Sequence, residues 1–253
     1  MVADRQIKRK WPKRLLIACI TVLIACGIGF YAYTSDYYHA GEDARALTES
    51  LESAGSLQET DVSIAVGASD AEVGVVFYPG AKVDPQAYVP LANELADRGY
   101  YCVIAKMPFN LAFFGIDSAS SLIDSASEID EWWIAGHSLG GAMAAQFTSA
   151  HSNELKGVFL LAAYTASDLS QTDLSVNLIY GSNDGVLNRD ALQNNEVNLP
   201  SGSVTEVIEG GNHAGFGDYG PQDGDGECSI GAEQQWVATA SFMVVSIEAA
   251  RKS

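Results

Sequence analysis

The longest apolar stretch of the chain lies near its N-terminus. Residues 15–33 carry no charged side chain, and these 19 residues are about the length that a helix needs to cross a bilayer. The 14 residues before it hold a single acid, Asp4, among six basic side chains. Because basic segments stay on the cytoplasmic side, we expect a cytoplasmic tail over 1–14, a single-pass transmembrane anchor over 15–33, and an extracytoplasmic remainder.

Two other interpretations of this stretch stay open. Leu23-Ile24-Ala25-Cys26 is similar to a bacterial lipobox, which would make Cys26 a lipidated N-terminus, although the residues that follow stay apolar. A cleaved signal peptide usually has a shorter apolar region and a small-x-small cleavage site, and we find no good site of that kind. All three interpretations export the rest of the chain.

Beyond the apolar stretch, the pattern predicts a stalk and then one domain. Residues 34–60 form the predicted juxtamembrane stalk, with a short amphipathic helix over 41–52. From residue 61 to the end, short apolar runs alternate with segments of helical spacing. The predicted strands are 62–66, 73–78, 101–105, 132–135, 157–162, 176–180 and 204–208. The predicted helices are 85–98, 116–126, 139–150, 189–196 and 232–250.

This alternation predicts an α/β fold. Strands separated by helices favour right-handed crossovers, hence a mostly parallel sheet with helices on both faces. Active sites of such sheets form at the carboxyl ends of the strands. We therefore expect the catalytic side chains to lie in the loops that directly follow strands.

Charge and cysteine content limit the possible functions. The net charge is −18, and beyond residue 14 the chain holds 8 basic and 31 acidic side chains. Such a body repels phosphates, which argues against nucleic-acid binding. Outside the apolar stretch only Cys102 and Cys228 remain. They could pair in an oxidising compartment, but Cys102 in a buried strand is equally explained as a small apolar thiol.

The motif that carries chemistry is Gly136-His137-Ser138-Leu139-Gly140, which matches G-x-S-x-G. A short apolar strand precedes it and a helix rich in small residues follows, which is the context of a nucleophile on a sharp strand-to-helix turn. We expect Ser138 to be the nucleophile. The helix N-terminus would direct free N–H groups at a developing oxyanion.

A serine nucleophile needs a base, and the chain has four histidines. His39 lies beside the apolar stretch, His137 adjoins the serine, and His151 ends the following helix. His213 remains, in a glycine-rich loop after the last predicted strand, and we expect it to be the base.

The base in turn needs a carboxylate. Asp184 follows the preceding strand and gives the chain order Ser, Asp, His. For the oxyanion hole we expect the backbone N–H of Leu139 and a second N–H from the loop after residue 78, from Ala81 or, failing that, Lys82.

These residues resemble the α/β-hydrolase superfamily, within it the small, minimal-lid esterases and dienelactone hydrolase-like enzymes. The resemblance runs from about Val73 to the final helix. It implies hydrolysis of esters, thioesters or lactones without a metal or an organic cofactor. Many relatives carry His-Gly where this chain has Pro79-Gly80, and the nucleophile is serine rather than the cysteine of dienelactone hydrolase itself.

Two weaker patterns remain. Residues 106–114 are apolar and follow a predicted strand, so they are either a wall for an acyl group or packing beneath a loop. The other pattern is a cluster of acids in a glycine-rich loop, which lacks the spacing of a calcium loop and fits a solvated surface. Its members are Asp218, Asp223, Asp225 and Glu227.

The sequence thus predicts a membrane-anchored extracytoplasmic serine hydrolase acting on a small-molecule or cell-surface acyl substrate. Two alternatives stay open. One is a non-catalytic binding module on a hydrolase scaffold, since a fold does not fix a function. The other is a peptidase or acyltransferase, which would use the same three residues.

Overall fold

The computed structural model describes residues 11–252. It divides into two compact units at Asp36 and Tyr37. Most of the predicted basic tail, residues 1–10, lies outside the described residues.

The first unit is a single helix, α1 (Trp11–Ser35). Its segment Leu15–Ser35 is long and apolar enough to cross a bilayer, and none of its most apolar window is buried. The predicted apolar helix is confirmed and is longer at both ends than 15–33. A helix of this kind near the N-terminus fits either a membrane span or a signal sequence.

The second unit contains one eight-stranded sheet with helices packed on it. Its helices are α2 (Glu42–Ala54), α3 (Val89–Ala96), α4 (Ser118–Ser125), α5 (Leu139–Ala150), α6 (Arg189–Asn194) and α7 (Ala232–Ala250). Its strands are β1 (Leu57–Glu59), β2 (Ser63–Val66), β3 (Val73–Tyr78), β4 (Tyr101–Ala105), β5 (Glu131–His137), β6 (Gly157–Leu161), β7 (Ser175–Gly181) and β8 (Val204–Ile208).

The strand order is β1-β2-β4-β3-β5-β6-β7-β8. From β4 to β8 every neighbouring pair is parallel, whereas β1 and β2 are antiparallel to each other and β2 is antiparallel to β4. The predicted α/β class, with a mostly parallel sheet, is confirmed. All carboxyl ends of the six parallel strands therefore open on one edge of the sheet.

Helices cover both faces of the sheet, and the side chains of each strand alternate between the two cores that result. In β3, Val75 and Phe77 pack into a core shared with α3 and α7, whereas Val76 and Tyr78 pack into a second core shared with α4 and α5. Strands buried on both sides are nearly continuous apolar runs, which is why their positions could be predicted well.

Residues 34–60, the predicted stalk, contain the helix α2, close to the predicted helix over 41–52. The residues from Tyr37 onward are part of the compact second unit. Within them, β1 adds a short edge strand in which Leu57 is buried opposite Val66. A three-residue strand with one buried side chain has no detectable alternation, so the sequence pattern missed it. Cys102 and Cys228 are both free.

Candidate active site

Ser138 occupies the sharp turn between β5 and α5, at the carboxyl edge of the sheet. Its backbone angles are φ 53° and ψ −121°, a conformation that side-chain-bearing residues adopt only at a cost in energy. The turn is fixed by neighbouring backbone, because Ser138 N donates to Leu161 O at 2.9 Å and Ser138 O accepts from Ala142 N at 3.1 Å. The turn therefore holds the Ser138 side chain, which is only partly buried, at the end of β5.

The turn requires glycine on both sides of the serine. A Cβ on Gly140 would collide with the carbonyl oxygens of Tyr78 and Pro79, and one on Gly136 would collide with the backbone of Gly140 and Gly141. The glycines of the motif are thus explained by the close approach of β3, β5 and α5.

Asp184 and His213 meet in a buried pair at the same edge. Asp184 follows β7, His213 follows β8, and His213 Nδ1 lies 3.0 Å from Asp184 Oδ2. Both side chains are buried. The other carboxylate oxygen, Oδ1, accepts from the backbone N–H groups of Val186 at 2.9 Å and Leu187 at 2.8 Å. Asp184 is therefore held as an acceptor that orients the imidazole.

The surroundings of Asp184 favour its charged form. Burial by itself would raise the pKa, but the hydrogen bond to His213 and the two backbone N–H groups outweigh it, and the pKa of Asp184 lies below its ordinary value. An ionised Asp184 accepts a hydrogen bond from the Nδ1–H group of His213. This leaves Nε2 of His213 as the nitrogen that can take up a proton.

His213 lies beside the serine turn. Its ring centroid is 4.6 Å from that of His137, the residue before Ser138. Nε2 of His213 is buried and has no hydrogen-bond partner in the described part of the chain, so the structure shows no bond to the Ser138 hydroxyl. Hydrogen bonds between a catalytic base and its nucleophile often shorten only when substrate binds.

The predicted oxyanion donors lie at the start of α5 and in the loop after β3. Leu139 opens α5, so its N–H belongs to the first helical turn, which has no intrahelical acceptor. Of the two candidates after β3, Lys82 N is committed to Asn110 O at 2.7 Å. Ala81 N has no acceptor within residues 11–252, which leaves Ala81 as the available second donor.

Asp225 is a site residue that sequence reasoning missed. Its carboxylate accepts from His213 N at 3.1 Å, Ala214 N at 2.8 Å, Gly185 N at 3.1 Å and its own neighbour Gly226 N at 2.8 Å. It therefore joins the loop that bears the histidine to the loop that bears Asp184. The sequence offered no signal for this role, since Asp225 appeared as one of several acids in a solvated loop.

A second missed element supports the loop over 79–84, which follows β3 and carries Ala81, and which we call the oxyanion loop. The hydroxyl of buried Tyr88 accepts from Gly80 N at 3.0 Å and lies 2.8 Å from His137 Nδ1. Since no other acceptor for the hydroxyl proton lies within residues 11–252, we assign it to Nδ1, which places the proton of neutral His137 on Nε2. Burial, together with the neighbouring His213, lowers the pKa of His137 well below its ordinary value. Neutral His137 thus links the serine turn to Pro79-Gly80 through the Tyr88 hydroxyl.

The other two histidines take no part in this arrangement. His151 stacks on Phe147 and lies 2.9 Å from Glu154, and His39 contacts the ring of Tyr37. Among the residues that the structure describes, no group of histidine, cysteine and acidic side chains could hold a metal ion. In the acidic loop, Asp218 accepts from Ala44 N at 2.8 Å and so ties α2 to the residues after His213.

Comparison with known proteins agrees with this fold. The model of the alpha/beta hydrolase family matches residues 74–237, more than half of the chain. No curated protein matches.

Solved structures share the fold at low identity. A CIB-like hydrolase from Thermoplasma acidophilum aligns with a TM-score of 0.56 and 17% identity, covering 74% of this chain and 97% of its own. A bacterial protein named a membrane phospholipase A aligns with a TM-score of 0.61 and 12% identity, covering 95% and 100%. Est1E from Butyrivibrio proteoclasticus aligns with a TM-score of 0.55 and 13% identity, covering 76% and 98%. The chain therefore belongs to the alpha/beta hydrolase family.

Proposed function

We propose that this alpha/beta hydrolase is a serine hydrolase that cleaves an ester, thioester or lactone through an acyl-enzyme on Ser138. The observation that carries the proposal is the buried His213–Asp184 pair beside a serine held in strained geometry. A surface histidine would not need an oriented, ionised carboxylate behind it, whereas a general base does.

The chemistry follows from the contacts. His213 Nε2 takes the proton as Ser138 Oγ attacks the substrate carbonyl, and Asp184 stabilises the imidazolium that forms. The N–H groups of Leu139 and Ala81 stabilise the oxyanion. The tetrahedral intermediate collapses, the leaving group takes the proton from His213, and water repeats the cycle on the acyl-enzyme. No step requires a metal or a cofactor.

The second part of the proposal is that α1 remains as a single-pass anchor and that the hydrolase unit lies outside the cytoplasm. It is supported by the apolar Leu15–Ser35 segment and by the basic residues before it. Protease added to intact cells should remove the hydrolase unit and leave a membrane-bound N-terminal fragment. Protection from protease would contradict the extracytoplasmic location. Release of the unit into the medium, or an N-terminal lipid-modified Cys26, would contradict the uncleaved anchor.

Hydrolysis of p-nitrophenyl esters of graded acyl length tests the enzymatic part. The Ser138→Ala variant should lose at least about a thousand-fold in kcat. Ser149→Ala is the matched control, because Ser149 is an exposed serine on the same α5 helix and bonds only to Gln146 O. Equal activity of the two variants would refute the role of Ser138. A folded wild type that cleaves no ester would favour a binding module or a different acyl-transfer reaction.

A further inference from the structure

Three phenylalanines are exposed on one short segment next to the candidate active site. Phe109, Phe113 and Phe114 have 54%, 61% and 48% of their surface exposed. Phe114 packs edge-on against both of the others, with ring centroids 5.6 Å and 5.5 Å apart. We call residues 106–115, which follow β4, the rim loop. A contiguous exposed aromatic surface of this kind usually marks a binding site for an apolar partner.

The fold holds this surface in place. Phe109 and Asn110 both have positive φ, 58° and 54°, and such strain persists only where surrounding contacts impose it. Backbone bonds of 3.0–3.1 Å, such as Leu111 N to Pro108 O and Phe114 N to Leu111 O, close the two turns that carry the rings. The Tyr78 hydroxyl fixes the end of the loop, donating to Ile116 O at 2.6 Å and accepting from Ala119 N at 2.9 Å.

The rim loop is joined to the oxyanion loop. Asn110 O, which lies between Phe109 and Phe113 in the sequence, accepts from Lys82 N at 2.7 Å, and Lys82 directly follows Ala81. The turn Ala112–Phe114 also packs against α5, the helix that follows Ser138. The segment that carries the aromatic surface is therefore in contact with both the oxyanion loop and the helix of the serine turn.

The same oxyanion loop is bonded to the residues that follow the apolar helix. Tyr38 N donates to Lys82 O at 2.7 Å, and Asp84 N donates to Tyr38 O at 2.9 Å. Only Asp36 and Tyr37 separate Tyr38 from Ser35, the last residue of α1. Because a residue of extended chain spans at most about 3.6 Å, this connection reaches roughly 10 Å. The chain between the last residue of α1 and Tyr38 is therefore short.

We infer, on the basis of the proposed function, that the substrate is a long-chain acyl ester resident in the membrane that holds the anchor. The aromatic surface of the rim loop binds the acyl chain while Ser138 attacks its carbonyl. Each methylene that leaves water for such a surface is worth up to about four-fold in binding. The acidic body of the protein disfavours anionic headgroups, so the lipid is neutral or zwitterionic.

The test uses the full-length protein in zwitterionic phosphatidylcholine vesicles. Two substrates are compared: water-soluble p-nitrophenyl acetate and a long-chain acyl ester embedded in the same vesicles. The test variant is Phe109→Ser with Phe113→Ser. The control is Val197→Ser, at a position that is 78% exposed on the surface after α6. A further variant inserts three EAAAK repeats between Asp36 and Tyr37, a semi-rigid spacer of about 22 Å.

We expect the ratio of kcat/KM on the embedded ester to kcat/KM on acetate to fall at least ten-fold in the double variant. The spacer should lower only the rate on the embedded ester, by about five-fold or more, and the control should change neither rate. Urea unfolding of each variant shows whether it is folded.

Three results would overturn the inference. The first is a wild type that cleaves acetate but not the embedded ester. The second is a double variant whose kcat/KM falls equally on both substrates or changes on neither. The third is a dimer that the double variant dissociates in sedimentation without changing selectivity, which would assign the surface to a second copy. If the wild type cleaved neither ester, the proposed function itself would fail.

Discussion

The carboxylate of Asp225 connects the two loops that bear His213 and Asp184. Its removal should lower kcat and leave KM nearly unchanged. In Asp225→Ala, four backbone N–H groups lose their acceptor. A hydrogen bond to a charged group contributes about 1.5–3 kcal/mol, but water can replace the acceptor at Gly185, where the bond is exposed. Counting mainly the partly buried bonds to His213 and Ala214, we expect a loss of about 2–4 kcal/mol in the free energy of unfolding.

The larger effect should be on catalysis. Misplacing a catalytic group by about 1 Å can cost roughly a hundred-fold, so we expect kcat of Asp225→Ala to fall between about ten- and a hundred-fold while KM changes little. Asp225→Asn keeps one carbonyl oxygen and should recover part of the loss.

The assay combines urea unfolding with kcat and KM for a soluble ester, at a temperature where every variant is fully folded. Asp223→Ala is the matched control, because Asp223 is an exposed aspartate two residues away in the same loop and has no hydrogen bond among residues 11–252. A kcat for Asp225→Ala equal to that of Asp223→Ala would refute the positioning role, even if the protein were less stable.

Three further predictions address the remaining parts of the site. Ser138→Gly should unfold with about 1 kcal/mol more free energy than Ser138→Ala, because glycine tolerates φ 53°; equal urea midpoints would show that the turn is unstrained. Asp184→Asn should lower kcat by about 10⁴-fold, since the amide no longer orients the neutral base; a loss under ten-fold would contradict this. The fold lowers the pKa of His137, so the folded state disfavours its protonation. The free energy of unfolding should therefore be highest above pH 6.5, the ordinary pKa of histidine, and should fall at lower pH by up to ~1.4 kcal/mol per pH unit. His137→Gln should flatten this part of the stability–pH curve, and an unchanged slope would contradict the assignment.

The parts of the fold that could be predicted are those with a strong local pattern. The predicted bounds of β3 and β4, which are buried on both sides, match those of the structure, and so do those of α5 and α7. The bounds of β8 also match, although most of its residues are exposed. The edge strand Leu57–Glu59 was missed, and the second compact unit begins at Tyr37, whereas the predicted hydrolase domain begins at residue 61. These features depend on contacts with residues distant in the chain, and a local sequence pattern does not predict such contacts.

The candidate site shows the same division. Ser138, Asp184 and His213 could be proposed because each follows a strand and the chemistry permits few other choices. Asp225 and Tyr88 act through contacts with backbone N–H groups of other loops, and neither contact has a fixed spacing in the chain. The exposed rings of Phe109, Phe113 and Phe114 favour an acyl wall over packing beneath a loop, a choice that the sequence left open.

The most direct test of Ser138 as the nucleophile is to react the folded, full-length protein with a fluorophosphonate probe and locate the adduct by peptide mass spectrometry. We expect one modified serine, Ser138. Labelling should be absent in Ser138→Ala and slowed at least a hundred-fold in His213→Ala. Labelling of a different serine, undiminished labelling of Ser138→Ala, or no reaction of the folded wild type would contradict this assignment.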